Sequence, residues 1–197
     1  MFTLDDGKLA VEIARKTIEE YLSSGEPPKF KLPENFKRES GVFVSLHRYP
    51  EHELRGCIGF PEPRFKLFQA IADAAVAAAT EDPRFPPVKA PDMKKIVIEV
   101  SLLTPPELVK VKDPKEYLKK VKIGKHGLIA EYSFFRGLLL PQVPVEWEWG
   151  VEEFLQHTCN KAGLPPESWK DPKVKFYSFE AKVFCETKPG GEVVEKM

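Results

Sequence analysis

The sequence predicts an α+β fold. Strand-like segments and three main helical segments follow one another irregularly, one helix comes directly after a β-hairpin, and no βαβ unit or other internal repeat recurs in the 197 residues.

Residues 6–24 carry Leu9, Ala10, Ile13, Ala14, Thr17, Ile18, Tyr21 and Leu22 at helical spacing, with Gly25 where a C-terminal cap belongs, and so read as an amphipathic helix. Pro27, Pro28 and Pro33 force an extended linker. Gly41 to His47 then has the β-branched and aromatic content of a strand, and the turn Tyr49 to His52 returns the chain into Glu53 to Ile58, completing a hairpin. An Ala-rich helix spans 65–80 and ends at Glu81-Asp-Pro-Arg-Phe-Pro-Pro87. The nearly unbroken apolar run from Lys95 to Leu103 reads as a central strand buried on both faces. Glu99 within it is either solvent-facing or a buried carboxylate with a raised pKa.

Asp113 as N-cap before Pro114 predicts a short helix to Lys120. Gly124-Lys-His-Gly127 reads as a turn between short strands, 150–162 as a third helix capped by Gly163, and 173–185 as a last strand. Because the first helix must bury its apolar face on later elements, residues 1–187 are expected to form one cooperative unit. Residues 188–197, with Gly190-Gly191 and alternating charges, read as a flexible tail.

Thirty basic residues balance thirty acidic ones, so no net field draws nucleic acid or an anionic membrane to the chain. Seven lysines between Lys110 and Lys125, followed by Phe134, Phe135 and Arg136, form a local basic stretch, read as a solvated face rather than a nucleic-acid site. The longest apolar run, Ala70 to Ala79, is too short for a bilayer, which needs about 20 apolar residues. The N-terminus lacks the basic-then-apolar order of a signal peptide, and a cytoplasmic protein is expected. Cys57, Cys159 and Cys185 are far apart and odd in number, without a Cys-x-x-Cys pair, so neither a disulfide framework nor a metal or other cofactor is called for. The charge-rich, proline-rich composition fits a thermostable protein.

The most chemically suggestive segment is Arg55-Gly-Cys-Ile-Gly59. Strand alternation puts Arg55 and Cys57 on one face, and a guanidinium beside a thiol favours the thiolate nucleophile. Gly56 and Gly59 remove side chains and let a ligand or another backbone approach. The plainer reading is a small buried cysteine in a tight hairpin, with the glycines serving bends and Arg55 paired to a surface acid. Of the histidines 47, 52, 126 and 157, His126, set between glycines, is the best placed as a base, and is otherwise an ordinary turn residue. Arg84, in the stiff Asp82-Pro-Arg-Phe85 turn, can clamp a carboxylate or phosphate, or cap the preceding helix. Trp147 and Trp149 line a pocket or close over the core.

Taken in order, Leu54-Arg-Gly-Cys-Ile-Gly59, Asp82-Pro-Arg-Phe85, Val100-Ser-Leu-Leu-Thr104, Gly124-Lys-His-Gly127, Leu140-Pro-Gln-Val143 and Lys161-Ala-Gly-Leu164 resemble the AMMECR-one domain family over nearly the whole chain, in a short, Pro-rich form that looks archaeal. The resemblance implies two lobes with antiparallel sheets flanked by helices and a cleft lined by the Arg-Gly-Cys motif, and it supplies no reaction. Some prokaryotic relatives are fused to, or encoded beside, a Memo-like protein and a radical S-adenosylmethionine enzyme, which implies a shared pathway. Two functions follow as expectations. One is a thiol-dependent enzyme or small-molecule cleft, with Cys57 and His126 catalytic and Arg55, Gly56, Gly59 and Arg84 binding the ligand. The other is a non-catalytic adaptor that binds a protein through the same cleft.

Overall fold

The computed structural model describes residues 2–23 and 28–196. They form two compact units: Met1–Leu103 with Lys182–Met197, and Thr104–Ala181. Gly25 and Pro27, expected as cap and linker, lie outside the described residues.

In the first unit, α1 (Leu4–Ser23) starts earlier than the apolar pattern suggests because its first turn caps itself. The Thr3 N–H and hydroxyl donate to Asp6 Oδ2 at 2.8 and 2.9 Å, and the Asp6 N–H donates back to Thr3 Oγ1 at 3.2 Å. This reciprocal arrangement satisfies donors that a helix start otherwise leaves unpaired. Ala10, Ile13, Ala14 and Ile18 are buried as the spacing requires, whereas Tyr21 is exposed.

The hairpin forms as expected from β1 (Val42–Arg48) and β2 (Leu54–Phe60), and β3 (Ile96–Leu103) pairs antiparallel with the other edge of β1. Val42, Val44, Leu46, Ile98, Val100 and Leu102 pack in one cluster with α1 and with α2 (Leu67–Thr80). Each such side chain contributes roughly 1.5–3 kcal/mol relative to exposure. Seven positions of β3 are buried and Glu99 alone is intermediate, so the strand's apolar run does report burial on both faces. Alanines on α2 let the helix backbone come down onto β2, and the meeting point is Gly56: a Cβ there would sit 2.1 Å from the Ala78 carbonyl oxygen.

The C-terminal stretch corrects the expectation of a flexible tail. After β7 (Lys175–Glu186) the chain turns at Gly190, and β8 (Val193–Lys196) pairs antiparallel with Val183–Glu186. The alternating charges that suggested fraying are cross-strand partners: Lys196 Nζ lies 2.5 Å from Glu99 Oε2, and Lys182 Nζ lies 2.8 Å from Glu195 Oε1. Glu186 ends β7 as a buried carboxylate. Arg15 grips it through Nε at 2.5 Å and Nη2 at 2.6 Å, and the Ile98 N–H donates to it at 2.9 Å.

In the second unit the first part of β7 is flanked by β4 (Glu107–Leu108) and β5 (His126–Tyr132), and β5 pairs with β6 (Phe135–Leu139), all antiparallel. The helix expected from Pro114 is a 3-10 turn running into α3 (Tyr117–Lys120), with Asp113 capping the Lys115 N–H at 2.8 Å. After the short α4 (Val143–Glu146), α5 (Val151–Lys161) buries Phe154, Leu155 and Cys159 against Trp169 and Phe176. Gly163, at φ 79°, adopts the left-handed conformation a C-terminal cap needs. The seven lysines from Lys110 to Lys125 are all exposed. Trp149 packs against the core and stacks on His157 at 3.8 Å, while Trp147 is exposed. Among the described residues no helix is long and apolar enough to cross a membrane.

Candidate functional site

The chemistry of the first unit gathers around an irregularity in the β1–β2 ladder. Pairing runs regularly from Val42↔Phe60 to Leu46↔Gly56 and then jumps to His47↔Leu54, leaving Arg55 without a partner. An extra residue of this kind is a β-bulge, which bends its strand and re-aims the side chain it carries. The expectation that Arg55 and Cys57 share a face assumed an uninterrupted strand, and the bulge removes that premise. Arg55 is only 6% exposed and lines a pocket of about 1090 Å³. Cys57 does not line it; directly opposite Ser45, it holds its Sγ 3.2 Å from the Ser45 hydroxyl.

The glycines have structural neighbours. Beside Gly56 stands the backbone of α2, and a Cβ on Gly59 would sit 2.2 Å from the Phe43 ring and 2.6 Å from the Val42 carbonyl oxygen. The close approach each permits is therefore by the protein itself.

Asp82, at the end of α2, ties the motif down. Its carboxylate accepts the Cys57 N–H at 2.8 Å, the Arg84 N–H at 3.1 Å, and both Nε and Nη2 of Arg84 at 2.9 and 2.7 Å. The Arg84 guanidinium, despite burial, holds the Asp82 carboxyl well below the usual carboxylate range, and the two backbone donors reinforce it. Arg84 also donates to the Cys57 carbonyl at 3.3 Å. Asp82 thus engages Nε and Nη2 of the fork, on a side chain that is 55% exposed. The Phe85 ring that follows stands 5.4 Å from the Arg84 guanidinium and 6.0 Å from that of Arg55.

On the face of Cys57 runs a polar row that the sequence reading did not assemble. Ser45 faces Cys57 on one side and Glu99 on the other. His47, two residues along β1, places Nε2 at 3.9 Å from Glu99 Oε1, with no hydrogen-bond partner of its own. Burial would push the Glu99 carboxyl up, but His47 and Lys196 together outweigh it and hold the group low. The Ser-x-His spacing of period two was the available signal. His126, the histidine favoured by sequence, belongs to the second unit and is the first residue of β5 rather than a turn residue. Its Nδ1 accepts the Lys122 N–H at 3.3 Å, and burial, then Lys125 and Lys122, depress its pKa.

The three thiols are unpaired and differ in access: Cys57 is half-buried, and Cys159 and Cys185 are buried. Burial pushes the Cys159 thiol up to about 12 and raises that of Cys185 as well. Among the described residues no three His, Cys, Asp or Glu side chains converge to hold a metal ion.

The pocket belongs wholly to the first unit. Its floor is Arg55. Its walls come from the hairpin turn (Tyr49, Pro50), the loop after Phe85 (Pro86, Pro87), and the segment leading into β3.

Relatives of known sequence cover this arrangement from end to end. The protein MJ0810 of Methanocaldococcus jannaschii is 57% identical over 196 residues, which span 100% of this chain and 98% of that protein. The protein PH0010 of Pyrococcus horikoshii is 52% identical, over 96% of this chain and 94% of its own. The crystal structure of PH0010 superimposes with a TM-score of 0.83, covering 96% of each chain at 50% identity. None of these names states an activity. The AMMECR1 family model matches residues 11–184, which contain the bulged Arg-Gly-Cys strand, the Asp82–Arg84 clamp and the pocket over Arg55, and the chain belongs to the AMMECR1 family.

Proposed function

We propose that the chain binds a small molecule in the pocket of its first unit, with Arg55 at the binding surface and the Asp82–Arg84 clamp holding the adjoining loop. One observation carries this reading: the bulge turns the arginine of the Arg-Gly-Cys motif into a concave space of about 1090 Å³. That is just above the roughly 300–1,000 Å³ common for ligand sites. Four prolines, Pro50, Pro86, Pro87 and Pro91, stiffen the walls, so little order has to be gained on binding. A fragment library titrated against isotope-labelled protein is expected to shift the amide resonances of Tyr49, Arg55 and Lys95 together. Shifts confined to other surfaces, or none, would remove this reading in favour of the protein-binding adaptor. We place the protein in the cytoplasm, in keeping with its three unpaired thiols.

A second reading, a thiol-dependent reaction with Cys57 as nucleophile, is supported by the unequal access of the thiols. Iodoacetamide near neutral pH is expected to modify Cys57 first, and Cys159 and Cys185 only after unfolding. Peptide mass mapping over time reads the order. If Cys57 also waits for denaturant, it is a packing residue and the nucleophile role falls.

A further inference from the structure

We infer that the small molecule carries an oxyanion, a carboxylate or a phosphate, and that Arg55 is the residue that holds it. The inference rests on the pocket reading above and adds the chemistry of the ligand.

Arg55 is buried on an element that gives it nothing to pair with. Among the described residues it makes no hydrogen bond and no ion pair, and its one recorded contact of an electrostatic kind is the Phe85 ring at 6.0 Å. The half-buried Arg15 of the same unit is treated quite differently: it grips Glu186 with two nitrogens, meets Glu19, and donates to the Ile96 carbonyl. A guanidinium removed from bulk water without a counter-charge is costly, so chains normally supply the acid. Here they do not, although Glu51 and Glu53 stand on the same pocket's wall.

The unpaired nitrogens of Arg55 are also not sealed in. Among the described residues the fully buried side-chain nitrogen or oxygen atoms that lack partners are His47 Nε2 and Trp169 Nε1, and Arg55 contributes none. Its donors therefore open onto the pocket that it lines. A planar fork of five N–H donors at the floor of a concave site matches the two acceptor oxygens of a carboxylate or phosphate. On the walls Arg48, Lys89 and Lys95 are matched in number by Glu51, Glu53 and Asp92, so the net positive charge of the lining is that of Arg55 itself. The bulge makes this possible, because a residue outside the ladder can be turned into the site without disturbing the pairing of Gly56 and Cys57.

The test uses the full chain at low ionic strength, with inorganic phosphate and acetate as separate probes and a neutral alcohol of similar size as the control. Phosphate or acetate is expected to shift the resonances around Arg55 saturably, with whichever binds tighter naming the group. Arg55→Met should weaken that binding at least tenfold, and Arg55→Lys should retain part of it. Arg55→Met should also be no less thermostable than the parent in anion-free buffer, since it removes an unpaired charge and leaves an apolar stem. The inference is overturned if Arg55→Met binds the anions as well as the parent does. It is equally overturned if neutral fragments occupy the pocket and anions do not, an outcome that leaves the small-molecule reading standing. If neither anions nor neutral fragments reach the pocket, the small-molecule reading itself is wrong and this inference goes with it.

Discussion

Glu186→Ala is expected to destabilise the protein by about 3–5 kcal/mol, the usual consequence of removing one partner of a buried ion pair. The Glu186 side chain is 3% exposed and that of Arg15 13%, so the carboxylate has almost no water to fall back on and the guanidinium little. The loss is threefold. Arg15 is left with Glu19 and the Ile96 carbonyl, the Ile98 N–H loses its acceptor, and α1 loses its polar link to the end of β7. Urea unfolding followed by far-UV circular dichroism checks the size. A shift below about 1 kcal/mol would mean the pair is solvated and behaves as a surface bridge. The double change Arg15→Met with Glu186→Leu should recover much of the loss, because apolar side chains of similar volume carry no desolvation cost.

Asp82→Ala is expected to cost about 2–3 kcal/mol at neutral pH, since it takes the acceptor from the Cys57 N–H and the Arg84 N–H, while the Arg84 guanidinium, 55% exposed, turns to water. The pH dependence has a definite sign. The folded-state pKa of Asp82 is depressed below the unfolded value of about 3.9, so its contribution is complete above that value and disappears as pH falls through the folded one. The gap between parent and variant should therefore be constant from pH 8 to about pH 5 and close only in strong acid. A gap that closed near pH 6 would assign the linkage to another group. The same variant should speed alkylation of Cys57, because the Asp82 carboxylate is what pins that residue's backbone to the end of α2.

The elements were largely legible in the sequence because their signals are local. Apolar spacing marked α1 and α5, the hairpin turn separated β1 from β2, and the apolar run of β3 reported burial that seven of its positions have. Asp113 and Gly163 end or begin their elements by chemistry carried within a few residues. Boundaries moved where a cap was overlooked, as with Thr3 and Asp6 ahead of α1. The family, too, was legible, since it is carried by short motifs in a fixed order.

The site depended on what strands do to one another. Alternation along β2 put Arg55 beside Cys57, yet register is a property of the pair of strands, and the jump after Leu46 sends the two side chains to different surroundings. The glycines suggested room for a ligand, while the partner that fills the room at Gly56 is the carbonyl of Ala78, twenty-two residues on by subtraction of their numbers. Glu99 was undecidable because its ionisation depends on Lys196, ninety-seven residues away, and the same contact turns an apparent tail into β8. Residue types, helical periods and caps act over one or two turns of chain, and the sequence by itself determined those. Which charge meets which partner, and which is left facing an open pocket, is settled by contacts between distant segments, and only the tertiary structure decided that.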